Sequence, residues 1–305
     1  MNITDLTELL GYSKQAYYKK IKTYEKSAFQ EELVVSLVKK KRKLWKKGSG
    51  RNLHASLKTE FSKHNIKIGK DKFFTLLRNN GLLIKKKHRR TRTTFSYHHF
   101  HKYPNLIREL KVTRVNQVIV TDITYLYLSG VDKFAYLFLV TDLFSRKILG
   151  YNISDNLSAN SGIKALRMAL RKMSDTKDTI HHSDRGVQYC SHKYTEILKK
   201  YNIRISMTEN SDPLENAVAE RINKTLKEEF TKDKQISFQN YKEAKIIMKQ
   251  IIKFYNEERP HRSLEYYTPN IAYEMNKKLI RKWKNYYKDN PMLNSKDLIY
   301  LHNNS

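Results

Sequence analysis

The sequence predicts an α/β fold in which a mixed β-sheet is flanked by helices and preceded by an all-helical region. Between residues 53 and 80, apolar side chains recur at helical spacing. From Gln117 to Ile153 the pattern changes to three runs of β-branched and aromatic residues separated by short turns. Shorter apolar runs at 179–182 and 203–207 then alternate with helical segments, which is typical of a mixed sheet with helical crossovers.

The chain is strongly basic, with 60 Lys and Arg residues against 30 Asp and Glu and a formal net charge of +30. A positive field of this size attracts a polyanion, so the expected partner is nucleic acid. No apolar run approaches the roughly 20 residues that a membrane-spanning helix needs, and the N-terminus lacks the apolar core of a signal peptide. The single Cys190 excludes an internal disulfide and a Cys-based zinc finger. We therefore expect a cytoplasmic protein without membrane association.

Two helical regions are predicted before the sheet. Residues 1–47 contain two short helices around Gly11, which could be a helix-turn-helix or a hairpin that only packs on its neighbour, and a further helix from Phe29 to Trp45. Residues 48–92 contain two helices joined by a short connector, an arrangement resembling a helix-turn-helix.

The second helical region supplies the predicted DNA contacts. Its second helix, from Lys70 to Asn80, would turn three cations toward a groove or phosphates: Lys70, Lys72 and Arg78. The basic run that follows is expected to lie along a phosphate backbone through Lys85, Lys86, Lys87, Arg89 and Arg90.

The remaining boundaries follow from changes in pattern. Residues 93–115 are predicted to be a linker with an embedded helix from Tyr103 to Leu110, residues 116–275 the α/β core, and residues 276–305 a C-terminal helical tail. The first three strands of the core should form an antiparallel meander, because short turns join them.

Three acidic residues are candidates for a metal-dependent active site. Asp122 lies in the middle of a strand, where an unpaired acid is costly to bury; Asp184 follows the fourth strand, at the sheet edge where α/β sites collect; and Glu220 lies on a long helix. Hard divalent cations prefer oxygen ligands, and two Mg²⁺ ions can activate an attacking hydroxyl and stabilise the leaving oxygen of a phosphodiester. Mn²⁺ could substitute for Mg²⁺.

Other acids and histidines have simpler interpretations. We assign turn, cap or salt-bridge roles to Asp142, Asp155 and Asp212. Glu215, Glu228 and Glu229 remain rivals for the helical carboxylate. Glu220 is preferred because Lys227 follows it by about two turns on the same helix face, where it would meet a phosphodiester. His181 and His182 are adjacent on a strand and face opposite sides, so they cannot share one metal, and a core or supporting role is expected.

Several short motifs, in order, resemble those of bacterial insertion-sequence transposases whose downstream reading frame carries a retroviral-integrase-like catalytic core. The motifs are Val120–Tyr125, His182–Tyr189, Ser206–Thr208, Glu215–Ala217, Glu220 with Lys227 and Glu228, Tyr255–Asn256, and Arg259–His261 with Leu264 and Thr268–Pro269. The resemblance extends from about residue 30 over nearly the whole chain.

The resemblance implies a ribonuclease-H-like fold, with Asp122, Asp184 and Glu220 as the catalytic and metal-binding triad. It further implies nicking and strand transfer at terminal inverted repeats, with transposon-end and target DNA as partners, Lys224 and Lys227 in DNA contact, and a homo-oligomer on DNA. An upstream-frame protein or a frameshift fusion is a further implied partner, and a nucleoid location follows.

The chain departs from the family pattern at residues 208–215, a loop without glycine in which Glu215 stands where the family commonly has Asp. Two other functions therefore stay open: a non-catalytic DNA-binding remnant or regulator of transposition, and a general or structure-specific nuclease.

Overall fold

The computed structural model describes residues 3, 11–84, 100–209, 216–230 and 237–275. Within residues 11–84, four helices precede the sheet: α1 (Lys14–Arg42), α2 (Gly50–Ser56), α3 (Lys58–Lys63) and α4 (Lys70–Asn79). The basic run at 85–90, the loop at 210–215 and the predicted tail at 276–305 lie outside the described residues.

Helix α1 is a single helix, whereas the sequence suggested separate helices around residues 14–21 and 29–45. Ser13 is the predicted N-cap, and its hydroxyl accepts the backbone N–H of Ala16 at 3.1 Å. No glycine or proline occurs between Lys14 and Arg42, so nothing in this stretch ends the helix. Its buried residues are Val34 and Val38, in its C-terminal half, so this half attaches the helix to the rest of the protein.

Helices α2 to α4 pack around the predicted apolar side chains. Leu53, Leu57 and Phe61 are buried, as are Phe73 and Leu77 of α4. The first predicted helix is divided in two at Leu57, whose backbone (φ −97°, ψ −2°) departs from helical geometry.

The sheet has six strands: β1 (Val118–Leu128), β2 (Lys133–Asp142), β3 (Ile148–Ser154), β4 (Ile180–Ser183), β5 (Arg204–Met207) and the two-residue β6 (Ser237–Phe238). The order is β3-β2-β1-β4-β5, and β6 pairs with β1. Strands β1, β2 and β3 form the predicted antiparallel meander, whereas β4 is parallel to β1 and β5 to β4. The prediction of a mixed sheet is therefore confirmed.

Helices cover both faces of this sheet: α5 (Ala159–Leu170), α6 (Val187–Cys190), α7 (His192–Lys200), α8 (Ala217–Phe230), α9 (Tyr241–Glu257) and α10 (Pro269–Met275). One hydrophobic cluster joins α5 and α7 to one face of the sheet. A second cluster joins the other face to α8, α9 and helices α1 to α4. The N-terminal helices thus share a core with the helix that carries Glu220. Within the described residues, no helix is long and apolar enough to cross a membrane.

The predicted helix from Tyr103 to Leu110 is wrong, because this segment has no regular secondary structure. Its backbone groups bond instead with β5 and the residues after it. Pro104 accepts the N–H of Met207 at 3.3 Å, and the N–H of Leu106 donates to the Ser206 hydroxyl at 2.9 Å. These tertiary bonds replace the bonds that a helix would have made.

Candidate active site

The parallel pairing of β1 and β4 brings Asp122 and Asp184 to the same level. Val120 pairs with His182, and each aspartate lies two residues further along its own chain segment. Neighbouring strands are about 4.8 Å apart. The two carboxylates therefore occupy adjacent positions where β4 ends and β1 continues.

On the edge of β1 that faces β4 and β6, no strand among the described residues pairs with the stretch around Asp122. Strand β4 pairs with β1 up to Val120, and β6 pairs with it from Tyr127. In the gap, the Asn216 amide donates to the carbonyl of Thr121 at 3.2 Å. The backbone N–H of Ile123 donates to Asp122 Oδ1 at 2.8 Å. Side chains thus form hydrogen bonds on this edge of β1, whereas the other edge pairs with β2 throughout.

Helix α8 lies over this gap and contacts Asp122 directly. Asn223 Nδ2 donates a hydrogen bond to Asp122 Oδ2 at 2.6 Å. Glu220 precedes Asn223 by three residues and Lys227 follows it by four, so the three side chains share one face of the helix. Glu220 is exposed, whereas Asn223 is buried and Lys227 is partly buried.

The electrostatics link the three predicted acids. The pKa of Asp122 is raised to about 7, mainly by burial and then by the charges of Asp184 and, more weakly, Glu220, while hydrogen bonds from Ile123 and Asn223 act in the opposite direction. Like charges near a buried carboxylate disfavour its ionised form, so the site resists holding all three acids ionised together.

Lys227 extends the site along α8. Burial lowers its pKa, and the charge of Asp122 acts in the opposite direction. Its ammonium therefore lies within electrostatic reach of Asp122.

The donor set fits a hard divalent cation in its chemistry, because carboxylate oxygens are the ligands that Mg²⁺ prefers and a cation relieves the repulsion that raises the pKa of Asp122. Within the described part of the chain, no three His, Cys, Asp or Glu side chains are already grouped closely enough to hold a metal ion. Asp122, Asp184 and Glu220 are the residues that would hold it.

The two adjacent histidines face opposite sides of β4, as predicted, and both are buried. The His181 ring lies 3.0 Å from the Tyr194 hydroxyl, and burial lowers its pKa to about 3. The His182 ring lies 2.8 Å from the Ser206 hydroxyl. Both imidazoles hold elements of the core together.

The other acids have the structural roles assigned to them where they are described. Asp142 accepts the N–H of Asn116 at 2.8 Å and the N–H and hydroxyl of Ser145 at 2.7 and 2.6 Å, which fixes the turn after β2. Asp155 accepts a hydrogen bond from Asn156. Glu215 and Asp212 lie outside the described residues.

The two remaining rivals for the helical carboxylate point away from Asp122. Glu228 is exposed and lies 3.8 Å from Lys224. Glu229 is paired with Arg259 at 2.6 Å. Neither is among the main causes of the raised pKa of Asp122.

The predicted DNA-binding cations of α4 lie at the surface. Lys70, Lys72 and Arg78 are all exposed, and Lys72 forms an ion pair with Glu31 at 3.1 Å. They are well separated in sequence from the three acids.

Asn223 and Asn216 are two residues of the site to which the sequence analysis gave no role, although Asn216 lies in the Glu215–Ala217 motif. Both are buried, and each donates to β1. The spacing of Asn223 between Glu220 and Lys227 was the available signal, since all three must share a helix face.

Comparisons with known proteins agree with this architecture. The family described as "Integrase core domain" matches residues 112–213, and a second family of that description matches residues 201–269. An uncharacterized 31 kDa protein of insertion element IS600 from Shigella sonnei is 33% identical over 215 residues, which cover 70% of this chain and 78% of that protein. The putative transposase InsK of IS150 from Escherichia coli is 35% identical, over 54% of this chain and 58% of that protein. The IS904 transposase from Lactococcus lactis is 29% identical, over 71% of this chain and 91% of that protein.

Solved structures include the HTLV-2 integrase catalytic core in complex with magnesium (TM-score 0.40, 15% identity, 52% of this chain and 96% of that chain). A simian T-cell lymphotropic virus intasome matches with a TM-score of 0.44 and 14% identity, over 70% of this chain and 69% of that chain.

The strand order, the flanking helices and the integrase-core matches together give a ribonuclease-H-like fold. With a relative at 33% identity that spans 70% of it, this chain belongs to the bacterial insertion-sequence transposases with an integrase core domain.

Proposed function

We propose that the chain catalyses DNA strand cleavage and strand transfer at the inverted-repeat ends of an insertion sequence, with Asp122, Asp184 and Glu220 as the acids that hold two Mg²⁺ ions. The observation that supports this most directly is the coupling of Asp122 to the charges of Asp184 and Glu220. A bound cation would relieve this repulsion and allow Asp122 to be ionised at neutral pH. In a protein of net charge +30 that binds polyanions, a metal ion together with DNA phosphate is the natural compensation.

The protein's own residues would bind and orient the reacting groups. Bound Mg²⁺ would supply activation of the attacking water or 3′-hydroxyl and stabilisation of the leaving oxygen. Asn223 keeps the Asp122 carboxylate in one orientation through the 2.6 Å hydrogen bond. Lys227 lies on the same helix face and would contact a phosphate of the bound end. Positioning and charge stabilisation thus account for most of the catalysis.

The DNA would extend from this site over further cations. These are Lys224 on α8, then Lys70, Lys72 and Arg78 on α4, and the basic run at 85–90 that follows α4 in sequence. Pairing two transposon ends requires more than one protomer, so we propose a homo-oligomer on DNA. From the family resemblance, we also propose an upstream-frame protein or a frameshift fusion as a partner, and a nucleoid location.

The test is a cleavage and strand-transfer assay with the full chain and its cognate end duplex. We expect products with Mg²⁺ or Mn²⁺ and none with EDTA. Asp184→Asn should abolish product, whereas Asp155→Asn, the same change at an exposed loop aspartate, should leave it unchanged. An active Asp184→Asn protein would refute the assignment of the acids. Specific footprinting of the ends by an assembled complex that never cleaves them would favour a binding-only regulator, and cleavage of RNA–DNA hybrids without terminal repeats would favour a general nuclease.

A further inference from the structure

The C-terminal end of α8 is held by a buried polar cluster that the proposed chemistry does not use. The Glu229 carboxylate accepts hydrogen bonds from Arg259 Nε at 2.7 Å and Nη2 at 2.6 Å, and from the indole N–H of Trp45 at 2.7 Å. The backbone carbonyl of Glu229 also accepts the N–H of Lys47 at 2.7 Å. One residue of α8 therefore bonds both to the segment after α9 and to the segment after α1.

The indole of Trp45 is held in the orientation that this bond requires. The ring is fully buried, and its centroid lies 5.4 Å from that of Phe254 on α9. Gly48 lies against the indole so closely that a Cβ at this position would overlap the ring. The N–H thus has little freedom to turn away from Glu229.

Arg259 belongs to the Arg259–His261 motif of the family resemblance, which together with Tyr255–Asn256 we call the Tyr255–His261 motif. Other residues of the same segment make equally specific contacts. The Asn256 side chain accepts the N–H of Ile148 and donates to its carbonyl, both at 3.0 Å, which joins α9 to β3. Glu258 forms a 2.6 Å ion pair with Lys41 of α1. This segment therefore connects the sheet, α8 and the N-terminal helices at one place.

The cluster can fix the orientation of the face of α8 that carries Glu220, because an α-helix is stiff. Glu229 follows Glu220 by nine residues, or about 13.5 Å along the axis. A shift of about 1 Å in a reacting group can cost 10²-fold in rate. A buried ion pair contributes little net stability compared with an apolar replacement. We therefore assign to this ion pair a role in orienting the helix.

We propose that Trp45, Glu229 and Arg259 are positioning residues that fix α8, and with it Glu220, relative to the sheet and to the N-terminal helices. This inference rests on the proposed function, since Glu220 must be a metal ligand for its position to matter. It assigns the arginine of the Tyr255–His261 motif to the alignment of the catalytic helix.

The test uses Trp45→Phe, which removes the indole N–H but keeps an aromatic ring, with Glu229→Gln as a second variant. Glu257→Gln, the same change in an exposed ion pair of α9, is the matched control. Mn²⁺ affinity of the full chain is measured by electron paramagnetic resonance, alongside single-turnover cleavage at saturating end duplex, DNA affinity and thermal unfolding. For Trp45→Phe we expect Mn²⁺ affinity to fall at least threefold and cleavage about tenfold, with DNA affinity within about twofold of wild type, since a shift of under 1 Å is enough.

The outcomes separate this inference from the proposed function. If Trp45→Phe leaves Mn²⁺ affinity and cleavage unchanged, with or without a lower unfolding temperature, the cluster serves only packing and does not orient α8. That result would overturn the inference. Should Glu229→Gln fail to fold, Trp45→Phe decides. A wild-type protein that binds Mn²⁺ but never cleaves DNA would refute the proposed function, and the positioning role would then be judged on Mn²⁺ affinity. Absence of both Mn²⁺ binding and cleavage in wild type would overturn both.

Discussion

Two glutamates on α8 show how one helix serves two opposite purposes. Glu220 is exposed, and its charge adds to the repulsion at Asp122. Glu229 is bonded to Arg259 and Trp45. Its charge is part of the reason that the pKa of Arg259 is raised although burial alone would lower it. Glu220 therefore adds negative charge where Asp122 already resists ionisation, whereas the charge of Glu229 is compensated by a buried guanidinium where the helix is anchored.

The strongest test of this contrast makes the same change at both positions. Glu220→Gln should reduce cleavage roughly 10³-fold, because metal binding supplies several kcal/mol of charge stabilisation and each 1.4 kcal/mol is about tenfold. Its unfolding free energy should not fall. Glu229→Gln should lower the unfolding free energy by on the order of 2 kcal/mol, since it leaves a buried guanidinium without its counter-charge. Single-turnover rates and urea unfolding measure both, and a Glu220→Gln protein with wild-type cleavage would invalidate the contrast.

Replacing Asn223 should have the next largest effect on cleavage. A hydrogen bond to a charged group contributes about 1.5–3 kcal/mol, so Asn223→Ala should reduce cleavage at least about tenfold. Because the bond from Asn223 lowers the pKa of Asp122, its loss should raise that pKa and move the pH–rate profile to higher pH. Asn270→Ala, at a helical amide bonded only to Glu274, is the control. Loss of rate without a shift of the profile would argue against a direct effect on Asp122.

Lys227 and Lys224 should differ in how they bind DNA. Lys227→Ala should weaken binding of the end duplex severalfold and reduce the log–log salt slope by about 0.9, the value for one phosphate contact. Lys224→Ala should have a smaller effect, since Lys224 is exposed beside Glu228. Fluorescence anisotropy at several salt concentrations measures both slopes. Equal slopes for the two variants would contradict the placement of Lys227 at a phosphate.

The smallest expected effect is on the pH dependence of the folding stability of the metal-free protein. The folded pKa of Asp122, about 7, lies above its ordinary value of 3.8, so the folded protein holds this proton more tightly than the unfolded chain. The contribution of Asp122 to stability should therefore be present below about pH 4, be lost progressively as pH rises through 7, and level off above it. Asp122→Asn should remove this slope and raise the melting temperature at pH 8 by roughly 2–4 °C. Thermal unfolding from pH 4 to 8 tests this, and a wild-type slope that persists in Asp122→Asn would assign it to other groups.

Local patterns in the sequence were sufficient for most of the core. The β-branched run that forms β1 was predicted to start at Gln117, and it starts at Val118. Where tertiary bonds decide, local patterns failed: the segment at 103–110 carries helical spacing, but Ser206 and Met207 bond to its backbone. The single long α1 was predicted as two helices although no residue within it breaks a helix.

For the candidate site, residue chemistry and spacing predicted three acids, but not the side chains that surround them. The bond between Asn223 and Asp122 joins residues 101 positions apart. Trp45 and Glu229 are 184 positions apart. Nothing in one sequence indicates such partners, which is why Glu229 stayed a rival of Glu220 until its contacts were visible.

The segment at 104–107 has a consequence for assembly. By bonding to Ser206 and Met207 it occupies the outer edge of β5 near the end of the strand. An exposed strand edge is the usual place where two sheets join across a subunit boundary. A second protomer cannot extend the sheet there without displacing this segment, so the proposed homo-oligomer would have to form through other surfaces of the chain.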